Sequence, residues 1–99
     1  MPRLDPTKLD DLLLSRVRLG ILSALAGGDE LGFTFLRDSL GLTDGNLSVQ
    51  MRKLEDARYL TIRKIFVGQK PKTFCRISPE GRGALVAFVK YLAGVLEKG

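Results

Sequence analysis

The sequence predicts a fold that is mainly α with a small β-hairpin, with helices near both ends available for pairing with a second copy. Three observations carry this prediction. Apolar residues recur on a helical period from Leu9 to Leu54, give way to β-branched and aromatic runs from Leu60 to Ser78, and return to helical spacing after Pro79. Ninety-nine residues with 44% hydrophobic content suffice for one domain with a modest core.

The first helical block begins after Pro6, with Thr7 as its N-cap, and carries Leu9, Leu12, Leu13 and Leu14. Ser15 is a second N-cap, so a break is predicted there: one short helix, then another over about 16–26, with Val17, Ile21, Leu22 and Leu25. Gly27 and Gly28 stop that block and Asp29 continues the turn. Phe33, Leu36 and Leu40 fall at i, i+3 and i+7 of a further helix, which Gly41 ends. Thr43 caps the next, in which Leu47, Met51 and Leu54 form the buried stripe and Asp44 puts a negative charge in the first turn. Two short helices joined by Gly41-Leu42-Thr43 describe a helix-turn-helix over about 33–58.

From Leu60 the residue types change. LTIRKIFV (60–67) and TFCRIS (73–78) are strand-like and flank the turn-forming GQKPK, which predicts a hairpin over about 60–78 with Cys75 and Ile77 facing inward. Ile65-Phe66-Val67 puts three apolar residues in a row on one strand, so at least one must be exposed or covered by something else. Ser78-Pro79 then starts a long helix over about 79–97, serine at the N-cap and proline at N1. Helix, helix, helix-turn-helix, hairpin and long helix, in that order, make a winged helix-turn-helix, with residues 1–99 as a single domain.

Charge is concentrated. The net charge is +5, yet residues 1–56 carry a balance of −2 and residues 80–99 of +1. Residues 57–79 hold Arg58, Arg63, Lys64, Lys70, Lys72 and Arg76 with no acid, a balance of +6. Such a strip on a near-neutral domain suits a polyanion and predicts duplex DNA as the partner. One cysteine and no histidine leave no internal disulfide, no metal cage and no cofactor to predict. There is no P-loop or catalytic constellation, so the protein is predicted not to be an enzyme. The apolar runs fall short of the roughly 18–20 residues that span a bilayer. No basic-then-apolar leader opens the sequence, which predicts no membrane association and a cytoplasmic location.

LTDGNLSVQMRKLEDARYL, the hairpin IRKIFVGQKPKTFCRIS and the SPEG that opens the last helix together resemble the short stand-alone winged-helix transcriptional regulators of prokaryotes, of the broad MarR/ArsR type. The resemblance runs from Leu12 to about Leu96. It implies that the third core helix enters the major groove, that the wing lies along the backbone or in the minor groove, and that the protein is a homodimer. Relatives often have glycine where this chain has Arg58. An arginine held at positive φ costs roughly 1 kcal/mol, so a different helix end is expected here. The cysteine-rich motif of the metal-sensing members is missing, which removes metal sensing.

A helix in the major groove presents its N-terminal half to base edges. On that basis Asn46 and Gln50 are assigned as base readers, because an amide can bond adenine N6 and N7 together. Val49 is assigned to a thymine methyl, Ser48 to a phosphate, and Arg52 and Lys53 to phosphate or guanine. In the wing, Lys70, Lys72 and Arg76 are assigned to phosphates, which position the protein without reading sequence. A second copy is expected to cover the wide apolar band of the last helix, Leu85, Val89, Leu92 and Leu96, completed by Leu9, Leu12 and Leu13. Cys75 is read as a small core residue. The predicted function is a sequence-specific, dimeric regulator of transcription, acting as a repressor. The alternatives are a protein-interaction module and a sequence-blind architectural DNA binder. No residue argues for a small-molecule effector.

Overall fold

A computed structural model describes residues 4–98; residues 1–3 and 99 of the predicted domain lie outside it. The N-terminal segment differs from expectation. In place of a short helix capped by Thr7 there are two 3₁₀ turns, Pro6–Lys8 and Asp11–Leu13. The side chains of Asp5 and Asp10 cap them, each accepting a 3.0 Å bond from the backbone N–H two residues on. Two carboxylates only five positions apart each close a local turn, leaving no uninterrupted run for a helix. Thr7 is a partner of the first cap: its hydroxyl donates to Asp5 Oδ1 at 2.7 Å.

Helix α1 (Arg16–Leu25) starts at Ser15, whose hydroxyl accepts from the Arg18 N–H, and buries Ile21, Leu22 and Leu25. A two-residue strand β1 (Leu31–Gly32) follows, too short to show any period. Helix α2 (Phe33–Leu40) ends at Gly41, whose φ of +66° is open to glycine at no steric cost. Helix α3 (Asp44–Asp56) begins at Thr43, whose hydroxyl accepts from the Asn46 N–H at 3.1 Å. Arg37 of α2 donates to both Asp38 (2.9 Å) and Asp44 (2.7 Å), tying the two helices across their turn.

The end of α3 also departs from expectation, because the chain makes the left-handed turn with an arginine. Arg58 has φ +66°. Its N–H donates to the Glu55 carbonyl and that of Tyr59 to the Leu54 carbonyl, a Schellman pattern that glycine usually completes. The Arg58 carbonyl accepts from the Ser78 hydroxyl at 2.5 Å, so this corner is fixed from outside the helix.

Strands β2 (Leu60–Val67) and β3 (Lys70–Ile77) form the wing, paired antiparallel from Leu60↔Ile77 to Val67↔Lys70. The turn is Gly68-Gln69 and not the whole of GQKPK, because Gly68 at φ +63° closes the hairpin in two residues. Pro71 therefore lies within β3. Strand β1 pairs only with Phe74 and Cys75, so β3 is an edge at Pro71, where a missing N–H is tolerated. The sheet order is β1-β3-β2.

Helix α4 (Pro79–Lys98) starts where the Ser78 hydroxyl accepts from the Gly81 N–H at 3.0 Å. Gly81 is required here: a Cβ at this position would lie 2.0 Å from the Tyr59 carbonyl oxygen. The core joins Ile21, Leu22 and Leu25 of α1 to Leu36, Leu47, Met51, Leu54, Cys75, Ile77 and Phe88. Cys75 and Ile77 face inward as the hairpin pattern predicts.

Leu13 corrects the predicted pairing surface. It is 1% exposed, a core residue that has no surface left for a partner. Leu9, Leu85 and Leu92 are partly buried against the same core. Val89 and Leu96 are 54% and 79% exposed, so the α4 line splits between two faces. The outer one carries Val86, Val89, Ala93 and Leu96, at i, i+3, i+7 and i+10.

Candidate nucleic-acid interface

Helix α3 is anchored by Leu47, Met51 and Leu54, all buried, as the stripe predicts. That anchoring turns Asn46, Ser48, Val49, Arg52 and Lys53 to solvent, while Gln50 is half-buried. The exposed set holds amide, hydroxyl, aliphatic and cationic groups, the types that meet base edges and phosphates in a major groove.

Gln50 has a partner that the sequence did not reveal. Arg18 Nη1 of α1 donates to Gln50 Oε1 at 2.7 Å, and Arg18 Nε donates to the Leu12 carbonyl at 2.7 Å. Gln50 Nε2 lies 3.5 Å from Asn46 Oδ1, at the long limit of a hydrogen bond. Arg18 sits 32 positions before Gln50, so only the packing of α1 on α3 brings them together.

The wing has two chemically distinct faces. Strand pairing puts Leu60, Ile62, Lys64 and Phe66 of β2 on the same pleat side as Pro71, Thr73, Cys75 and Ile77 of β3. Toward α3, Ile62, Lys64 and Thr73 line an open cleft of about 410 Å³ with Ser48, Met51, Arg52 and Glu55. The three predicted wing cations, Lys70, Lys72 and Arg76, are all exposed but alternate to the other side. Lys70 and Lys72 border a shallow groove shared with Thr34 and Phe35 of α2. The residue that joins Arg52 in the cleft is Lys64, and strand register, invisible in the residue string, decides this. Phe66 (73% exposed) and Val67 carry apolar surface at the hairpin tip.

Arg63 is differently placed. It donates twice to Glu30, at 2.6 and 2.9 Å, and its guanidinium lies 5.1 Å from the centre of the Phe74 ring. Glu30 is held below the ordinary carboxylate range by that pairing, and Arg63 is raised in turn. This cation is already neutralised. Cys75 is 1% exposed, and burial, with a smaller contribution from Glu30, pushes its thiol up to about 11. A neutral, enclosed thiol is a poor nucleophile, in keeping with a core role.

Residues 17–96 match the family model of the winged helix DNA-binding domain. The chain belongs to that family. A relative of this winged-helix domain, an uncharacterized protein of Methanocaldococcus jannaschii, is 36% identical over 83 residues, covering 84% of this chain and 87% of that one. Among solved structures, the transcriptional regulator homologue of Pyrococcus horikoshii OT3 superposes with a TM-score of 0.80 at 29% identity, over 88% of this chain and 86% of that chain. The structure of MepR of S. aureus in complex with DNA has a TM-score of 0.75 at 17% identity, over 94% and 76% respectively, a likeness of fold. The winged helix inferred from LTDGNLSVQMRKLEDARYL and the wing is thereby established. Among the described residues no helix is long and apolar enough to cross a membrane.

Proposed function

We propose that this winged-helix domain is a sequence-specific regulator of transcription that binds duplex DNA as a homodimer and represses by occluding a promoter. The observation that carries the reading is the adjacency of two surfaces. The exposed polar face of α3 and the α3-facing side of the basic wing share one cleft, with Ser48 and Arg52 on one wall and Lys64 and Thr73 on the other. Asn46, Gln50 and Val49 act on bases, Ser48 on a phosphate, Arg52 and Lys53 on phosphate or guanine, and Lys70, Lys72 and Arg76, from the other side of the wing, on the flanking backbone. The DNA complex of the similarly folded MepR supports the same use of the fold. The exposed α4 line Val86, Val89, Ala93 and Leu96 supports pairing. Two recognition helices about one DNA turn (~34 Å) apart multiply a weak single-site affinity.

Selection of bound duplexes from a random library, followed by binding across salt concentrations, tests this. A palindromic site should emerge, and log affinity should fall linearly with log salt. Asn46→Ala or Gln50→Ala should relax preference at one position, costing about 1–3 kcal/mol there. Lys70→Ala should weaken all sequences about equally. A slope without a preferred site would make the protein an architectural binder; neither slope nor site would make it a protein-interaction module.

A further inference from the structure

We propose that Arg18, outside the recognition helix, determines which base α3 reads: it fixes the Gln50 and Asn46 amides so that they offer donors to the major groove and select guanine. The inference rests on the sequence-specific reading above and deepens it.

A guanidinium can only donate. The Gln50 atom 2.7 Å from Arg18 Nη1 must therefore be the amide oxygen, and Oε1 is turned inward. Arg18 is itself held at a second point, its Nε donating to the Leu12 carbonyl at 2.7 Å. With Oε1 committed, Gln50 presents its Nε2. One of that nitrogen's hydrogens points along the 3.5 Å line to Asn46 Oδ1, one helical turn earlier. Asn46 is oriented in turn, its oxygen toward Gln50 and its Nδ2 away. The donor-to-acceptor order runs Arg18, Gln50, Asn46, and each link sets the next.

What remains for a base is an array of N–H groups. Guanine shows two acceptors in the major groove, N7 and O6; adenine shows one acceptor beside an amino donor, and cytosine an amino donor. A free glutamine can turn its amide and match adenine with both ends. Here that rotation would set an NH₂ group against a guanidinium, two donors face to face with no acceptor between them. The array therefore fits guanine best and rejects adenine. The sequence alone leaves the two ends of each amide equivalent.

The test uses the full chain and a random duplex library, with the position read by Gln50 defined as the one that Gln50→Ala flattens. At that position the unaltered protein should favour guanine over adenine by at least about tenfold. Arg18→Met should free the amide and bring the two purines within about threefold, while the salt slope changes by less than about one. Gln50→Glu keeps a partner for Arg18 but replaces the outward donor with a carboxylate oxygen, and should move the preference to cytosine, whose N4 donates. An adenine preference in the unaltered protein overturns the proposal and leaves sequence-specific binding standing. So does an undiminished guanine preference in an Arg18→Met protein whose melting is unchanged. Should Arg18→Met fail to fold, Gln50→Glu decides alone: cytosine supports the proposal and retained guanine overturns it. A selection that retains no sequence overturns the proposal and the sequence-specific reading together.

Discussion

Arg58 is the single described residue other than glycine at positive φ. Its backbone cost of roughly 1 kcal/mol is borne because the corner it makes connects α3 to β2 and offers its carbonyl to Ser78. Arg58→Gly should remove that cost, less the extra freedom glycine brings to the unfolded chain, and raise stability by about 0.5–1 kcal/mol. Urea titration, read as a higher midpoint at unchanged slope, checks it. Tyr59, next in sequence, donates its hydroxyl to Asp10, and that bond, with burial second, holds its phenol up at about 12 against an ordinary 10.0. A group raised in the folded state contributes stability that is whole below its unfolded value and is lost as pH climbs through the folded one. Unfolding midpoints should therefore fall between pH 10 and 12, and Tyr59→Phe should flatten this alkaline limb. At this scale the sequence was legible wherever the signal was local. Ser15, Thr43 and Ser78 cap their helices as the sequence predicts, and Leu47, Met51 and Leu54 are buried because a 3.6-residue period needs no knowledge of the neighbour. Arg18 was illegible because nothing in α1 alone distinguishes a solvated arginine from one clamped on α3.

The elements were legible in kind and order, less so in extent. Thr7 reads as a helix cap, but its own backbone N–H and hydroxyl are taken by the Asp5 carboxylate, and a helix becomes a 3₁₀ turn. Strand β1 escaped because two residues carry no alternation, and Gly32 doubles as the N-terminal flank of α2. In the wing, GQKPK reads as five turn formers, but the positive φ of Gly68 shortens the turn and pulls Lys70, Pro71 and Lys72 into the ladder. That shift fixes the pleat and hence which cations share the cleft with α3. The junction of α4 with Tyr59 gives the strongest packing prediction. Gly81→Ala would drive a methyl onto a backbone oxygen that has no rotamer to move away by, with the built Cβ at 2.0 Å. It should cost at least about 3 kcal/mol, visible as a lowered melting temperature, whereas Gly83→Ala, with nothing within 4 Å, should be neutral or stabilising.

The molecule is long for its size. Its principal extents are 59 × 24 × 21 Å and its radius of gyration is 15.2 Å, against about 13 Å for a rounded domain of 100 residues. Helix α4 is about 30 Å long, is held near Phe88 and leaves Leu96 almost bare. Val89→Lys combined with Leu96→Lys should convert a dimer to a monomer, seen in sedimentation equilibrium, while changing monomer stability by less than about 0.5 kcal/mol because both side chains are exposed. The same change should reduce a palindromic DNA preference to one half-site. The apolar band of α4 was only partly legible: the sequence counts its apolar residues but does not apportion them between the core and the exposed face. The joint at Gly81 bears on this arrangement. With a backbone oxygen seated where a side chain would otherwise begin, the root of α4 has no slack. The direction in which the long helix sets out is thus fixed by main chain lying directly on main chain, and not by a side chain that could repack.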